Sequence, residues 1–135
     1  MKRGLYNCSN SDNPRSGIYV KNRITSMAHL SFYSRDATTM EVSAVVGGCR
    51  RTIRFSSIYL PYEDPDPPSA MMTEIVQHSA QEKKEIILEI EANAHHTLWG
   101  SKDSNPRGKP LMEYMVNTKL NILLSLTLGG GKLLI

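Results

Sequence analysis

The segment EIILEI, from Glu85 to Ile90, decides the fold class of this chain. Its three consecutive apolar residues lie between charged flanks, a pattern typical of a strand that is buried on both faces of a sheet. Segments with the apolar spacing of helices precede and follow it. Strands separated by helices predict an α/β fold in which helices cover a sheet.

The helix before this strand is expected from about residue 68 to residue 81. The preceding segment, Pro61 to Pro68, holds four prolines and cannot form regular structure, because proline lacks the backbone donor and fixes φ. Asp66 followed by Pro67 predicts the N-cap and first turn of the helix. One helical stripe is apolar and is expected to face the core: Met71, Met72, Ile75 and Val76.

After the buried strand, a second helix is expected from Asn105 to roughly Lys119, again opened by a proline. A last apolar run covers Asn121 to Leu126. The glycines at 129–131 are expected to end regular structure. The inward face of the second helix is predicted to carry Leu111, Met115 and Val116.

Antiparallel hairpin signals fill the first half of the chain. Residues 17–22 have strand character, residues 28–34 are a weaker strand candidate, and residues 37–46 alternate with the period of a half-buried strand. Gly47-Gly48 predicts a hairpin turn into a strand over residues 51–60. In that strand the apolar side chains change parity, which predicts either a bulge or burial of both faces.

Length and composition restrict the class of protein. A chain of 135 residues is one domain at most, and no apolar run approaches the roughly 20 residues of a membrane span, so we expect no membrane partner. The formal net charge of +3 permits a nucleic-acid partner without demanding one. Cys8 and Cys49 lack disulfide or zinc-ligand spacing and are expected to be free thiols. Residues 1–16 are predicted to form a polar leader.

The end of the buried strand is the candidate site. Glu91 and Asn93 fall on the same side of the strand, at the sheet edge where α/β folds place active sites. A carboxylate there could hold a metal or orient water, and the amide could donate to a phosphate oxygen. The alternative is that both are turn and cap residues. His95 and His96 are adjacent and are expected to be hydrogen-bonded loop residues, and Trp99 to plug the loop against the second helix.

Longer motifs carry a family resemblance. Residues 91–101, EANAHHTLWGS, are followed by Asn105-Pro106-Arg107-Gly108 and by Leu111-Met112-Glu113-Tyr114, and Ser57 to Pro61 reads SIYLP. Together these resemble the endonuclease domain of insect non-LTR retrotransposons, within the endonuclease/exonuclease/phosphatase superfamily. The likeness covers about Gly17 to Leu124.

The resemblance implies a fold and a division of the chain. We expect a partial four-layer α/β sandwich, with mixed, mostly antiparallel sheets and covering helices. The family domain would occupy residues 17–124, preceded by the leader of residues 1–16 and followed by a divergent Gly-rich tail of residues 125–135. The chain is expected to be the middle of the domain, cut at both ends.

The resemblance also implies a mechanism, in which a divalent metal, usually magnesium, helps water attack a DNA phosphodiester. By position, Glu91 replaces the family's aspartate, which orients the water, and is also the one candidate metal ligand. Asn93 and Tyr59 would contact the phosphate, and His95 and Arg54 are further expected substrate contacts. DNA is the implied partner, with a reverse transcriptase domain in the parent element, and the family's role implies the nucleus.

Departures from the family pattern predict a loss of activity. Glu91 stands where the family has Asp, and Glu89 stands where it has Gly. The family's metal-binding Glu and its terminal Ser-Asp-His segment have no counterpart, so we expect little or no turnover. Two alternatives remain: a phosphatase-type relative acting on a small phosphoester, and a DNA-binding fragment that does not cut and uses Arg50, Arg51, Arg54 and Lys102.

Overall fold

The computed structural model describes residues 4–6, 13–21, 24–28, 30–126 and 132–135. Within these ranges two helices cover one face of a six-stranded mixed sheet, and a separate ribbon pairs β1 (Gly4–Tyr6) with β2 (Ile18–Val20). One neighbouring pair in the large sheet is parallel and the others are antiparallel, which confirms the predicted α/β class. Cys8, part of the leader and the glycines at 129–131 lie outside the described residues.

A long hairpin forms the middle of the sheet. Strand β4 (Ala37–Val46) pairs with β5 (Cys49–Tyr59) through an unbroken antiparallel register. Gly47 and Gly48 both have positive φ, +58° and +78°. The tight hairpin turn requires this conformation at both central residues, and glycine adopts it without steric cost. The predicted turn is confirmed.

No bulge causes the parity change in β5, because its residue pairing with the strand on each side is continuous. From Arg54 to Ile58, the even-numbered residues of β5 are buried, and Ile58 belongs to the core under the helices. The odd-numbered face is half-buried, with Phe55 at its centre. At this end of β5 one face is therefore buried and the other half-buried, which favours burial of both faces over a bulge.

A crossover through α1 (Ala70–Gln81) makes β5 and β6 (Glu85–Glu91) parallel neighbours. The helix begins later than predicted: Ser69 is the N-cap, and its hydroxyl accepts a hydrogen bond from the Met72 amide at 3.2 Å. The prediction of Asp66 as N-cap is wrong, because the ring of Pro68 disfavours a helical conformation at the residue before it. The peptide bond joining Pro67 to Pro68 is cis.

The second helix, α2 (Gly108–Thr118), starts after the predicted Asn105-Pro106 pair and ends at Lys119, which is left-handed at φ +58°. Both helices place their buried residues in one core with the even-numbered faces of β5 and β6. Val116, predicted to face inward, is exposed. The central core residues are Ile58, Leu60, Met72, Ile75, Leu88, Ile90, Leu111 and Met115.

Two short strands complete the far side of the sheet. Strand β7 (Leu124–Leu126) pairs with β8 (Lys132–Leu134), and β8 lies between β7 and β6. The expectation that regular structure ends at the glycines is therefore corrected. Ile135 is buried, and its backbone exchanges two 2.8 Å hydrogen bonds with Leu88. Residues assigned to the tail thus contribute to the sheet and to its core.

The weakest strand prediction, residues 28–34, is also corrected. Strand β3 (Thr25–Ala28) comes earlier and pairs with β4, and a 3-10 turn covers Leu30–Phe32. The turn buries the Phe32 ring, which meets the His78 ring edge-on at 5.2 Å. Neither helix in the described part of the chain is long and apolar enough to cross a membrane.

Candidate active site

The parallel pair of β5 and β6 brings two predicted site residues together. Tyr59 is the register partner of Glu91, and Ser57 is the partner of Glu89. Side chains alternate along a strand, so these four residues share the face of the sheet opposite the helices. The resemblance assigned Tyr59 and Glu91 from segments far apart in the sequence, and the strand register explains how they meet.

A cleft of about 210 Å³ opens at these strand ends. It is mainly polar, which suits a charged ligand better than an apolar one. Tyr59 and Glu91 both line it, as do two residues of the predicted leader, so the leader contributes to the site. The lining residues are Arg15, Ser16, Gly17, Ser57, Ile58, Tyr59, Glu89 and Glu91.

Arg15 forms one wall of the cleft, a role that the sequence did not predict. Its guanidinium donates to both carboxylate oxygens of Asp36, at 2.6 and 2.8 Å, and to Glu63 at 3.3 Å, and it lies 4.9 Å from the centre of the Tyr59 ring. The bond to Asp36 raises the pKa of Arg15, and the pKa of Glu63 is lowered by hydrogen bonds, first from its own backbone and then from Arg15. The arginine is therefore fixed and charged beside Tyr59.

Asn93 occupies the turn that follows β6. Its φ is +49°, in the left-handed region that asparagine tolerates better than most residues, and its amide donates to the Leu60 carbonyl at 3.2 Å. It is not among the residues that line the cleft. The structure thus gives Asn93 the turn role left open by the sequence, and a phosphate contact remains a prediction.

The two histidines diverge, as expected for neighbours in an extended segment. His95 Nδ1 lies 3.6 Å from a carboxylate oxygen of Asp103. His96 accepts a hydrogen bond from the Leu98 amide at 3.1 Å, and its ring lies 5.2 Å from that of Trp99, which is buried as predicted. Neither histidine is among the residues that line the cleft, so the expected substrate contact of His95 remains a prediction.

Arg107 ties the two site strands together. It is only 5% exposed, and its guanidinium donates to the carbonyl oxygens of Ala92 at 3.3 Å, Leu60 at 3.4 Å and Asp64 at 2.9 Å. Leu60 and Ala92 directly follow Tyr59 and Glu91. The arginine therefore fixes the separation of the strand ends that carry the site and holds the proline-rich loop against them.

Asn105 and Gly108 extend this arrangement, and we call the set Asn105, Arg107 and Gly108 the strand-end clamp. The Asn105 side-chain oxygen accepts from the amides of His95 at 3.0 Å and Gly108 at 2.9 Å, and its amide donates to the Asn93 carbonyl at 3.1 Å. A Cβ on Gly108 would lie 1.8 Å from the His95 carbonyl oxygen. The sequence offered these residues only as a family motif, and the structure gives the motif a positioning role.

Replacing Arg107 by lysine should lower the free energy of unfolding by about 2 kcal/mol, because one ammonium cannot reach three carbonyls from separate segments and buried acceptors lose their donors. Arg35→Lys is the matched control: Arg35 is exposed and, within the described part of the chain, its side chain donates to the Asn13 carbonyl, so its change should stay within about 0.5 kcal/mol. Urea unfolding of the three proteins measures both values. Equal midpoints for Arg107→Lys and the control would contradict the clamp.

The arginines expected to bind DNA do not form one surface. Arg54 is fully buried and pairs with Glu41 at 2.7 Å and with Glu82, so the structure corrects its assignment as a substrate contact. Arg50 and Arg51 are exposed at the hairpin end of β5, and Arg50 lies roughly 30 Å from Tyr59 at the usual rise of a strand. This separation does not favour the alternative of a binding fragment that uses them with Lys102.

A family model and a solved structure both match this chain. Residues 53–129, more than half of the chain, match the family model described as endonuclease-reverse transcriptase. The chain belongs to this family. Its fold is also similar to the solved "Endonuclease domain of TRAS1, a telomere-specific non-LTR retrotransposon", with a TM-score of 0.66 and 17% identity over 97% of this chain. The chain spans 65% of that domain's length. No curated protein sequence matches it.

The family implies a divalent metal, and the donor atoms of the cleft can be compared with that requirement. Glu89 and Glu91 offer carboxylates, and Ser57 and Tyr59 offer hydroxyls. Magnesium prefers oxygen ligands and keeps several waters while binding one or two carboxylates, so this donor set fits it. Among the described residues, no group of three or more His, Cys, Asp or Glu side chains could hold a metal ion.

Proposed function

We propose that this chain is an endonuclease-type module of a non-LTR retrotransposon, which receives a DNA phosphodiester in the cleft at Tyr59 and Glu91 with a divalent cation. One observation carries the proposal: Tyr59 and Glu91, two of the three residues that the family motifs single out, are register partners lining one polar cleft. A small-phosphoester phosphatase is the less favoured assignment, because the family model that matches is the endonuclease type.

The residues of the cleft divide the chemistry of hydrolysis among them. The Glu91 carboxylate accepts a hydrogen bond from the attacking water and orients it. The Tyr59 hydroxyl donates to a phosphate oxygen, and the Arg15 guanidinium, 4.9 Å from the centre of the ring, holds the ring in place. A bound divalent cation supplies charge that offsets that of the phosphate and the leaving oxygen. The strand-end clamp keeps Tyr59 and Glu91 in register.

We further propose that turnover by this chain is low. Glu91 reaches one methylene further than the aspartate it replaces, and a misplacement of about 1 Å can cost roughly 100-fold in rate. Among the described residues, those that line the cleft include no histidine. Groups that act as a unit lose most of their effect when one is missing or misplaced. The chain should still bind DNA at the cleft even though it cuts the DNA slowly.

The assignment covers most of the chain and implies its partners. We take residues 17–124 as the body of the domain, to which Arg15 and Ser16 add cleft residues and residues 132–135 add a strand and core contacts. Its substrate is chromosomal DNA, and its parent element supplies a reverse transcriptase that extends the nick. This role places the protein in the nucleus.

Nicking of a supercoiled plasmid tests the proposal. With magnesium, Glu91→Asp should nick at least about tenfold faster than the unmodified chain, because the carboxylate returns to the reach of the family's residue. Glu91→Gln should remove the nicking that the unmodified chain shows. Glu113→Asp, an exposed change on α2, is the matched control and should stay within twofold.

Two results would contradict the proposal. Nicking that Glu91→Gln leaves unchanged would show that the cleft is not the reaction site. A Glu91→Asp variant no faster than the unmodified chain would show that the length of this side chain does not limit turnover.

A further inference from the structure

We propose that an apolar groove beside the cleft holds an unpaired nucleoside of the DNA strand whose phosphate lies at Tyr59 and Glu91. This inference rests on the proposed function and names a part of the substrate that the cleft itself does not contact. The groove has a volume of about 350 Å³ and follows β5 and β6 on the face of the sheet opposite the helices. Its lining is mainly apolar, whereas that of the cleft is mainly polar.

The groove adjoins the cleft. Gly17, Ser57 and Glu89 line both of them. From these shared residues the groove continues along β5 to Phe55, and the cleft continues in the other direction to Tyr59. Phe55 and Tyr59 are four residues apart, which is roughly 13 Å along a strand. A nucleotide whose phosphate lies at the Tyr59 end therefore has its sugar and base within reach of the groove.

The lining of the groove suits the flat face of a base. Phe55 and Ile87 are register partners on the two strands, and both are half-buried. Tyr19, on β2, also lines the groove and is 52% exposed. Aromatic side chains are the platforms on which proteins stack the bases of single-stranded nucleic acid, and such stacking tolerates any base because each has a π face.

The size of the groove favours an unpaired nucleoside over a base pair. Its volume is at the small end of the range for ligand sites, about 300–1,000 Å³, which leaves room for one nucleoside. In a duplex both faces of a base are covered by its neighbours, so only a nucleoside that has left the stack can present its base to an aromatic side chain. The substrate is therefore DNA with an unpaired nucleotide next to the phosphate in the cleft.

Binding of two labelled DNA duplexes tests the inference. They share one sequence, but one of them carries a single unpaired nucleotide at its centre, and Ca²⁺ replaces Mg²⁺ to slow cutting. Fluorescence anisotropy should show that the unmodified chain binds the DNA with the unpaired nucleotide at least about tenfold more tightly, because stacking of one base strengthens binding about five- to 150-fold.

Two variants locate this preference in the groove. Tyr19→Ser removes an exposed ring, and Phe55→Leu keeps an apolar side chain but removes its ring. Each should lower the preference at least about threefold. Binding of the fully paired duplex should stay within twofold, which also shows that the variants are folded. Val116→Ser, an exposed change on α2, is the matched control and should keep the full preference.

The outcomes separate this inference from the proposed function. A preference that either groove variant lowers, and the control does not, supports the groove. Equal affinity for the two DNAs, or a preference that both groove variants leave unchanged, overturns the inference. In that case weaker binding of both DNAs by Tyr59→Phe leaves the proposed function intact. Binding of neither DNA, or binding that Tyr59→Phe leaves unchanged, overturns the proposed function and this inference with it.

Discussion

Replacing Gly108 by alanine is expected to destabilise the chain by about 3 kcal/mol or more, the upper range for an overpacked site. The new Cβ would lie 1.8 Å from the His95 carbonyl oxygen and 2.7 Å from its carbon. Both partners are backbone atoms, so no side-chain rotation relieves the clash. The start of α2 or the segment after β6 must move, and either movement breaks the bonds that Asn105 makes to both.

Gly100→Ala is the matched control for this change. Gly100 has a φ of +87° but open space around an added Cβ, so alanine there pays only the cost of a left-handed backbone, about 1–2 kcal/mol. Urea unfolding, or thermal melting if the Gly108 variant is soluble only in part, compares the two. If Gly108→Ala proves no less stable than Gly100→Ala, the close approach of α2 to His95 is wrong.

The second large effect is expected at Arg54. Arg54→Met should lower the free energy of unfolding by about 2–3 kcal/mol, because Glu41 loses its shortest charged hydrogen bond and keeps only the Lys84 ammonium at 3.5 Å. The Arg54 guanidinium is fully buried and donates to Glu41, Glu82 and Ser79. Arg51→Ala, on the same strand, breaks an exposed pair with Glu85 and should cost less than about 1 kcal/mol.

The Arg54 ion pairs also make stability depend on pH. Hydrogen bonds from Arg54 are the main cause that lowers the pKa of Glu41 and of Glu82 below the ordinary 4.5. A lowered folded-state pKa means that this stabilisation is complete above about pH 4.5 and is lost as the pH falls through the lowered values. The unmodified chain should therefore lose stability more steeply than Arg54→Met as the pH falls below about 4.5. Parallel pH dependences, or a control as destabilised as Arg54→Met, would contradict the buried network.

Local patterns predicted the parts of the fold that depend on neighbouring residues. The hairpin from β4 to β5 follows from alternation and two glycines, and the parallel crossover follows from an apolar strand between helical segments. The ends were less predictable. The glycines at 129–131 predicted the end of regular structure, whereas β8 follows them and pairs with β6. A strand this short that forms by long-range pairing leaves no local signal in the sequence.

The candidate site was predictable where it lies on strands and not where it depends on the position of an arginine side chain. Tyr59 and Glu91 follow from the motifs, and the register joins them. Arg54 shows what was overlooked: it shares the parity of Ile58 and Leu60, which was itself a signal that it faces the core. Arg15 had no such signal, because its place beside Tyr59 depends on a contact with Asp36 that no spacing reveals.

We propose that a divalent cation and a DNA phosphate meet at the strand ends that carry Tyr59 and Glu91. Anomalous diffraction from crystals of the full chain soaked in Mn²⁺ tests this claim most directly. A single strong peak within about 2.2 Å of a Glu91 carboxylate oxygen, in the cleft also lined by Glu89, is the predicted result. A peak at the hairpin end or beside His95 and Asp103, with none in the cleft, would contradict it.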